Sequence, residues 1–259
     1  MQRRRDDPER LRRRLLREQP LSRLFPNLIT IAGLCCGLSA VRFALAERWE
    51  FSVAFILAAA IIDGMDGRIA RLLGATSLFG AQLDSLSDFV CFGVSPAIVM
   101  YLWQTHEVRG LGWATVLFFA VCCALRLARF NTALTEGKEA PWQKQFFTGV
   151  PSPAGGILCL LPLMATLHLD MPVEIPPLLI VLYMLVIGGL MASRIPTFAA
   201  KHIHIKPELI LPVTVLCVLL LALFFIEPWG TVCGLGVVYL CTIPFSYLRW
   251  RRLSRSAAS

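Results

Sequence analysis

The chain alternates long apolar stretches with short polar ones rich in arginine. The apolar stretches run from Asn27 to Leu45, Phe51 to Leu73, Gly80 to Trp103, Leu111 to Phe130, Ala154 to His168, Pro177 to Ala192, Leu209 to Ile226 and Thr231 to Leu248. A helix crosses the hydrocarbon of a bilayer with about 17 to 25 residues. The pattern therefore predicts an all-α integral membrane protein of about eight transmembrane helices, the fifth and sixth being the shortest. It divides the chain into a basic cytoplasmic or interfacial segment over 1–23, one eight-helix membrane domain over 24–248, and a basic cytoplasmic tail over 249–259.

Composition strengthens the membrane assignment. Of 259 residues, 56% are hydrophobic and 16% charged, whereas a soluble domain carries roughly 25% charged residues. Placing the amino terminus inside puts all but Arg42, Arg48 and Arg109 of the 25 Lys and Arg on the cytoplasmic side, as the positive-inside rule requires. This predicts a multi-pass protein of the cytoplasmic membrane with both termini cytoplasmic. The formal net charge of +8 sits at the membrane edge without a basic and aromatic surface motif. It points to anionic lipid, at roughly 1 kcal/mol per basic residue near the surface, and not to nucleic acid.

The opening segment is too rich in arginine for a signal peptide. Leu11, Leu15 and Leu16 share one helical face there, which fits an interfacial helix as well as a basic tail. The nine cysteines form no C-x-x-C pair and read as small buried hydrophobes. His202 and His204 have no cysteine nearby and are not expected to hold a metal.

Four acids break the apolar pattern: Asp63 and Asp66 in the second stretch, Asp84 and Asp88 in the third. Each charge held in hydrocarbon costs at least ~2.5 to 3.5 kcal/mol, so the four must face one another, a cavity or a cation. Residues three and four apart share a helical face. Asp63, Asp66, Gly67, Ala70 and Arg71 make one such stripe, and Gly80, Asp84 and Asp88 another. At 1.5 Å per residue, Asp63 lies roughly 15 Å and Asp88 roughly 12 Å from the cytoplasmic ends of their helices, which predicts a pocket open to the cytosol. Clustered carboxylates favour Mg2+ or Mn2+, and Mg2+ is commonly shared with substrate phosphates. Gly67 and Ala70 would let such a ligand approach the helix, and Arg71 would offer its guanidinium to a phosphate.

These residues carry a resemblance. Asp63, Asp66, Gly67, Ala70, Arg71, Gly80, Asp84 and Asp88 fill the pattern D-x-x-D-G-x-x-A-R-x8-G-x3-D-x3-D without departure, and the chain resembles the CDP-alcohol phosphatidyltransferases. The resemblance implies cleavage of a CDP-lipid diphosphate, transfer of the phosphatidyl group to an alcohol, and release of CMP. It implies two divalent ions on Asp63, Asp66 and Asp84, with Asp88 assisting the metals and acting as base. Gly67, Ala70 and Arg71 would border the cytidine diphosphate. Spacing alone leaves open which acid is the base.

The acceptor is read from elsewhere. Arg126 to Asn131, Phe146 to Ala154 and Ser193 to Phe198 resemble the phosphatidylserine synthases within that family, which implies CDP-diacylglycerol and L-serine as substrates. Serine brings a carboxylate, and arginine binds carboxylates in bidentate fashion. Arg126 and Arg129, three residues apart on one face, are expected to hold that carboxylate or a lipid phosphate, or to be ordinary positive-inside flanks. Asn27, after Pro26, is expected to cap the first helix or to contact substrate, two roles that are compatible. Gly33 and Gly37 form a small-residue face that packs within the monomer or across a dimer; a homodimer is what the resemblance implies. Glycerol 3-phosphate, inositol phosphate or choline would serve the same chemistry. A cation transporter would spread its acids across the bilayer, and here they gather towards one side.

Overall fold

The computed structural model describes residues 21–74, 77–136, 146–169, 175–198 and 209–256. The amino-terminal segment with Leu11, Leu15 and Leu16, the loop lysines Lys138, Lys144, Lys201 and Lys206, and His202 and His204 lie outside them.

Helices dominate: α1 (Leu21–Leu45), α2 (Trp49–Leu72), α3 (Leu78–Asp88), α4 (Ser95–Trp103), α5 (Gly110–Glu136), α6 (Ser152–Cys159), α7 (Leu161–Leu169), α8 (Pro177–Ala192), α9 (Ile210–Ile226) and α10 (Pro228–Ser256). Each of the eight apolar stretches is helical. Among the described residues, four helical segments are long and apolar enough to cross a membrane: Phe25–Leu45, Leu78–Trp103, Gly110–Ala133 and Pro228–Arg251. The pair α6 and α7, bent by 45°, makes a fifth if it is one span. Helix α2 has the length at 24 residues, but Asp63, Asp66, Arg68 and Arg71 interrupt its apolar character. Helices α8 and α9 are shorter, at 16 and 17 residues.

Helix α1 begins at Leu21, so Pro26 and Asn27 lie inside it. This corrects the expectation that Asn27 caps the first helix. A proline this near the start removes one backbone bond without ending the helix.

Between α3 and α4 the chain runs through a π-helical turn, Phe89–Val94. Its cause is local. Pro96 has no N–H for the carbonyl of Phe92, and the N–H of Ser95 reaches back five residues to the carbonyl of Val90. Three glycines let the turn pack closely. A β-carbon on Gly37 would lie 3.0 Å from Cys91 Cα, one on Gly156 3.0 Å from Phe92 Cα, and one on Gly93 2.9 Å from Cys123 Cβ. Gly33 likewise faces Ile62, so the small-residue face of α1 is used inside the monomer.

The core lies among α5, α6, α7 and α8, where Phe119, Leu163, Met164, Met184, Ile187 and Met191 are all but inaccessible. The two stretches after α5 meet as short strands. Strand β1 (Phe146–Thr148) pairs antiparallel with β2 (Pro196–Phe198), Phe147 opposite Thr197. Gly149 then turns at φ +78°, and a β-carbon there would lie 2.6 Å from the carbonyl oxygen of Met191. Only glycine fits both the torsion and the space. Helix α9 buries no residue and packs chiefly on α10, which suits a helix bathed in lipid. All nine cysteines are free.

Candidate active site

The acids that the spacing set on two stripes come together. One carboxylate oxygen from each of Asp63, Asp66 and Asp84 lies within 4.8 Å of the others. Asp88, one turn beyond Asp84 on α3, brings its carboxyl within hydrogen-bond reach of Asp63. Asp66 is the most enclosed, with 5% of its surface exposed, and it is held on both oxygens. Thr30 of α1 donates to Oδ2 at 2.7 Å, and the N–H of Gly67 donates to Oδ1. Like charges this close repel one another strongly away from bulk water. An all-oxygen, all-carboxylate donor set fits a hard divalent cation, so the cluster is able to hold one.

A cleft of about 170 Å³ opens beside the cluster, lined by Asn27, Thr30, Asp66, Gly67, Ala70, Arg71, Ser77, Gly80 and Asp84, among others. The structure thus gathers Asn27, Gly67, Ala70, Arg71 and Gly80 around one space. Ser77 caps α3 by accepting from the N–H of Gly80 at 3.0 Å. A β-carbon on Gly80 would meet Asn27 Oδ1 at 3.0 Å and Ser77 Oγ at 3.1 Å. Beyond Arg71 Nη1 at 3.9 Å, a β-carbon on Gly67 would meet open space, so there the missing side chain clears the cleft.

The two arginines of α5 part company. Arg126 lies within electrostatic reach of Asp63 and Asp88 and donates from Nη1 to the hydroxyl of buried Ser152. Arg129 donates from Nη1 to the carbonyls of Ala192 at 2.9 Å and Ser193 at 3.3 Å, closing the carboxyl end of α8. Asn131 donates to Ser85 Oγ at 3.0 Å and ties α5 to the acid-bearing helix α3.

Sequence reasoning gave no role to Thr30, Ser77 or Ser152. A lone threonine in an apolar helix carries little signal, since it can equally donate back to its own helix. Thr115 and Thr214 do so, to the carbonyls of Leu111 and Ile210. Ser152 stands in a stretch that drew attention for its resemblance, but nothing in its spacing points to Arg126.

Comparison with known proteins adds a second line. A profile described as CDP-alcohol phosphatidyltransferase matches residues 23–193, and one described as CDP-alcohol phosphatidyltransferase 2 matches residues 208–244. The chain is 34% identical over 231 residues to the CDP-diacylglycerol–serine O-phosphatidyltransferase of Mycobacterium leprae, covering 89% of this chain and 77% of that one. Identity to the protein of the same name from Mycobacterium tuberculosis strain H37Rv is 32%, over 90% of this chain and 81% of that one. Against the Helicobacter pylori 26695 protein of that name it is 30%, over 88% and 91%.

Proposed function

The chain belongs to the CDP-alcohol phosphatidyltransferase family, and on that premise we propose that it transfers the phosphatidyl group of CDP-diacylglycerol to the hydroxyl of L-serine, releasing CMP. The observation that carries the reading is the convergence of Asp63, Asp66 and Asp84 within 4.8 Å beside a cleft, with Arg126 set against Asp63 and Asp88. The names of the relatives support serine as the acceptor.

When bound, two divalent ions, Mg2+ or Mn2+, on Asp63, Asp66 and Asp84 with Asp88 alongside would neutralise the diphosphate and the departing CMP. The residues of the chain do the rest. Gly67, Ala70, Arg71, Gly80 and Asn27 line the cleft and receive the cytidine diphosphate portion, Arg71 offering its guanidinium to a phosphate. Arg126 takes the serine carboxylate. Asp88 removes the proton as the serine hydroxyl forms its bond to the diacylglycerol-linked phosphorus, and the bond from that phosphorus to CMP breaks. Arg129, engaged with the carbonyls that end α8, supports the site from outside it.

Eight crossings, with both termini on the cytoplasmic face of the inner membrane, accord with eight helical stretches and with the placement of the basic residues. A homodimer would use faces other than Gly33 and Gly37, which pack inside the monomer. The test is to incubate the purified protein with CDP-diacylglycerol, Mg2+ or Mn2+, and serine, glycerol 3-phosphate, inositol phosphate or choline in turn, measuring CMP release. Serine-dependent release is expected. Release that depends on another alcohol and not on serine would overturn the acceptor while leaving the class.

A further inference from the structure

Arg126, to which the reaction above gives the serine carboxylate, lies within electrostatic reach of a buried group that the reaction does not use, Tyr239. Arg126 directs Nη1 to Ser152, but its Nε is buried without a hydrogen-bond partner among the described residues. The hydroxyl of Tyr239, on α10, is buried and unpartnered too. It sits within electrostatic reach of Arg126 and beside the hydroxyl of Thr197. Thr197 donates its own proton to the carbonyl of Gly149 at 2.9 Å. Leaving a buried donor unsatisfied is unfavourable, and a polar ligand group that reached both donors would relieve it.

The ring of Tyr239 faces a different environment. It lines an apolar groove of about 410 Å³ with Leu57, Ala60, Ile157, Phe224 and Leu235, among others. Tyr239 therefore borders an apolar groove while its hydroxyl is buried. Helix α10 packs against β2, and β2 pairs with β1, whose chain continues through Gly149 to Ser152. The β1–β2 pair thus couples the position of Tyr239 to that of Arg126.

We propose that the Tyr239 hydroxyl and the Arg126 Nε–H together receive the carboxylate of the amino-acid acceptor, so that α10 supplies a specificity-determining residue to a site built mainly on α2, α3 and α5. This rests on serine being the acceptor. Two convergent donors, one of them charged, match a carboxylate, and an alcohol without one leaves both unpaired. Such a site rejects the analogue that lacks the group. The lipid diphosphate is the other anion at hand, and kinetics separates the two.

The experiment compares the wild type with Tyr239→Phe, which removes only the hydroxyl and keeps the ring against the groove. The wild type, assayed for CMP release with serine and with ethanolamine, establishes serine dependence first; if it shows none, both the acceptor and this inference fall. Given serine dependence, Tyr239→Phe should raise the serine KM roughly tenfold. Its kcat and its CDP-diacylglycerol KM should stay close to wild type, and its preference for serine over ethanolamine should narrow by a similar factor. An unchanged serine KM and preference, or a rise in the CDP-diacylglycerol KM instead, would overturn the proposal. Tyr239→Leu, which also removes the hydroxyl, should give the same change in preference.

Discussion

Thr30 donates a 2.7 Å hydrogen bond to Oδ2 of Asp66 across the interface of α1 and α2. With the Gly67 N–H on the other oxygen, it fixes the carboxylate most enclosed in the cluster. Thr30→Val keeps the shape and removes the donor. Partners that orient metal-binding carboxylates typically contribute 10-fold to 100-fold in metal affinity. The Mg2+ or Mn2+ concentration giving half-maximal CMP release should rise by about tenfold or more, with activity restored at saturating metal. An unchanged metal titration would remove Thr30 from the site.

Gly80 is constrained by contact, since a β-carbon would press on Asn27 Oδ1 and Ser77 Oγ together. Gly80→Ala therefore displaces Asn27 in the cleft and disturbs the cap on α3, a loss of about 1 kcal/mol. The KM for CDP-diacylglycerol should rise severalfold while the serine KM holds. Steady-state kinetics with each substrate varied in turn decides it.

Arg126 and Arg129 should separate under mutation. Arg129→Ala leaves the carbonyls of Ala192 and Ser193 without their donor, which costs roughly 1 to 3 kcal/mol. It should lower the melting temperature in detergent and leave the serine KM of the folded fraction near wild type. Arg126→Ala should raise the serine KM strongly. A serine KM that moves equally in both variants would restore the equivalence their spacing suggested.

That pair shows where the sequence runs out. The acids were legible because charges in apolar stretches are expensive, and helical spacing alone put them on matched stripes. The division between the arginines was not. The carbonyls that hold Arg129 belong to a helix end 63 and 64 residues further along, and no local pattern announces them. The strands β1 and β2 are three residues each, too short to show a period. Asn27 lines the cleft beside the acids but does not cap the helix, because Pro-Asn imitates a helix start while α1 begins at Leu21. The number of crossings was the least legible, since the acids that define the site also make α2 less apolar.

Gly149 turns the chain from β1 towards Ser152 at φ +78°, against backbone carbonyls of α8. Gly149→Ala meets the left-handed penalty of about 1 to 2 kcal/mol and a backbone contact that cannot swing away. The variant should accumulate poorly or melt at lower temperature, and what folds should show a raised serine KM through displaced Ser152 and Arg126. Wild-type stability would refute the torsional argument.

Asp88 lies within hydrogen-bond reach of Asp63, one of the acids proposed to hold metal, and within electrostatic reach of Arg126, the residue proposed for the acceptor. Asp88→Asn retains size and keeps an amide N–H for Asp63, so the helices should stay in place. It removes the one function an amide cannot supply, taking a proton from the attacking hydroxyl. The kcat should fall by about 10² to 10⁴, with thermal stability and CDP-diacylglycerol binding close to wild type. A variant that retains near-normal turnover would sink the assignment of Asp88 as base and return that role to one of its three neighbours. A variant that loses lipid binding together with turnover would instead mark Asp88 as a metal ligand first.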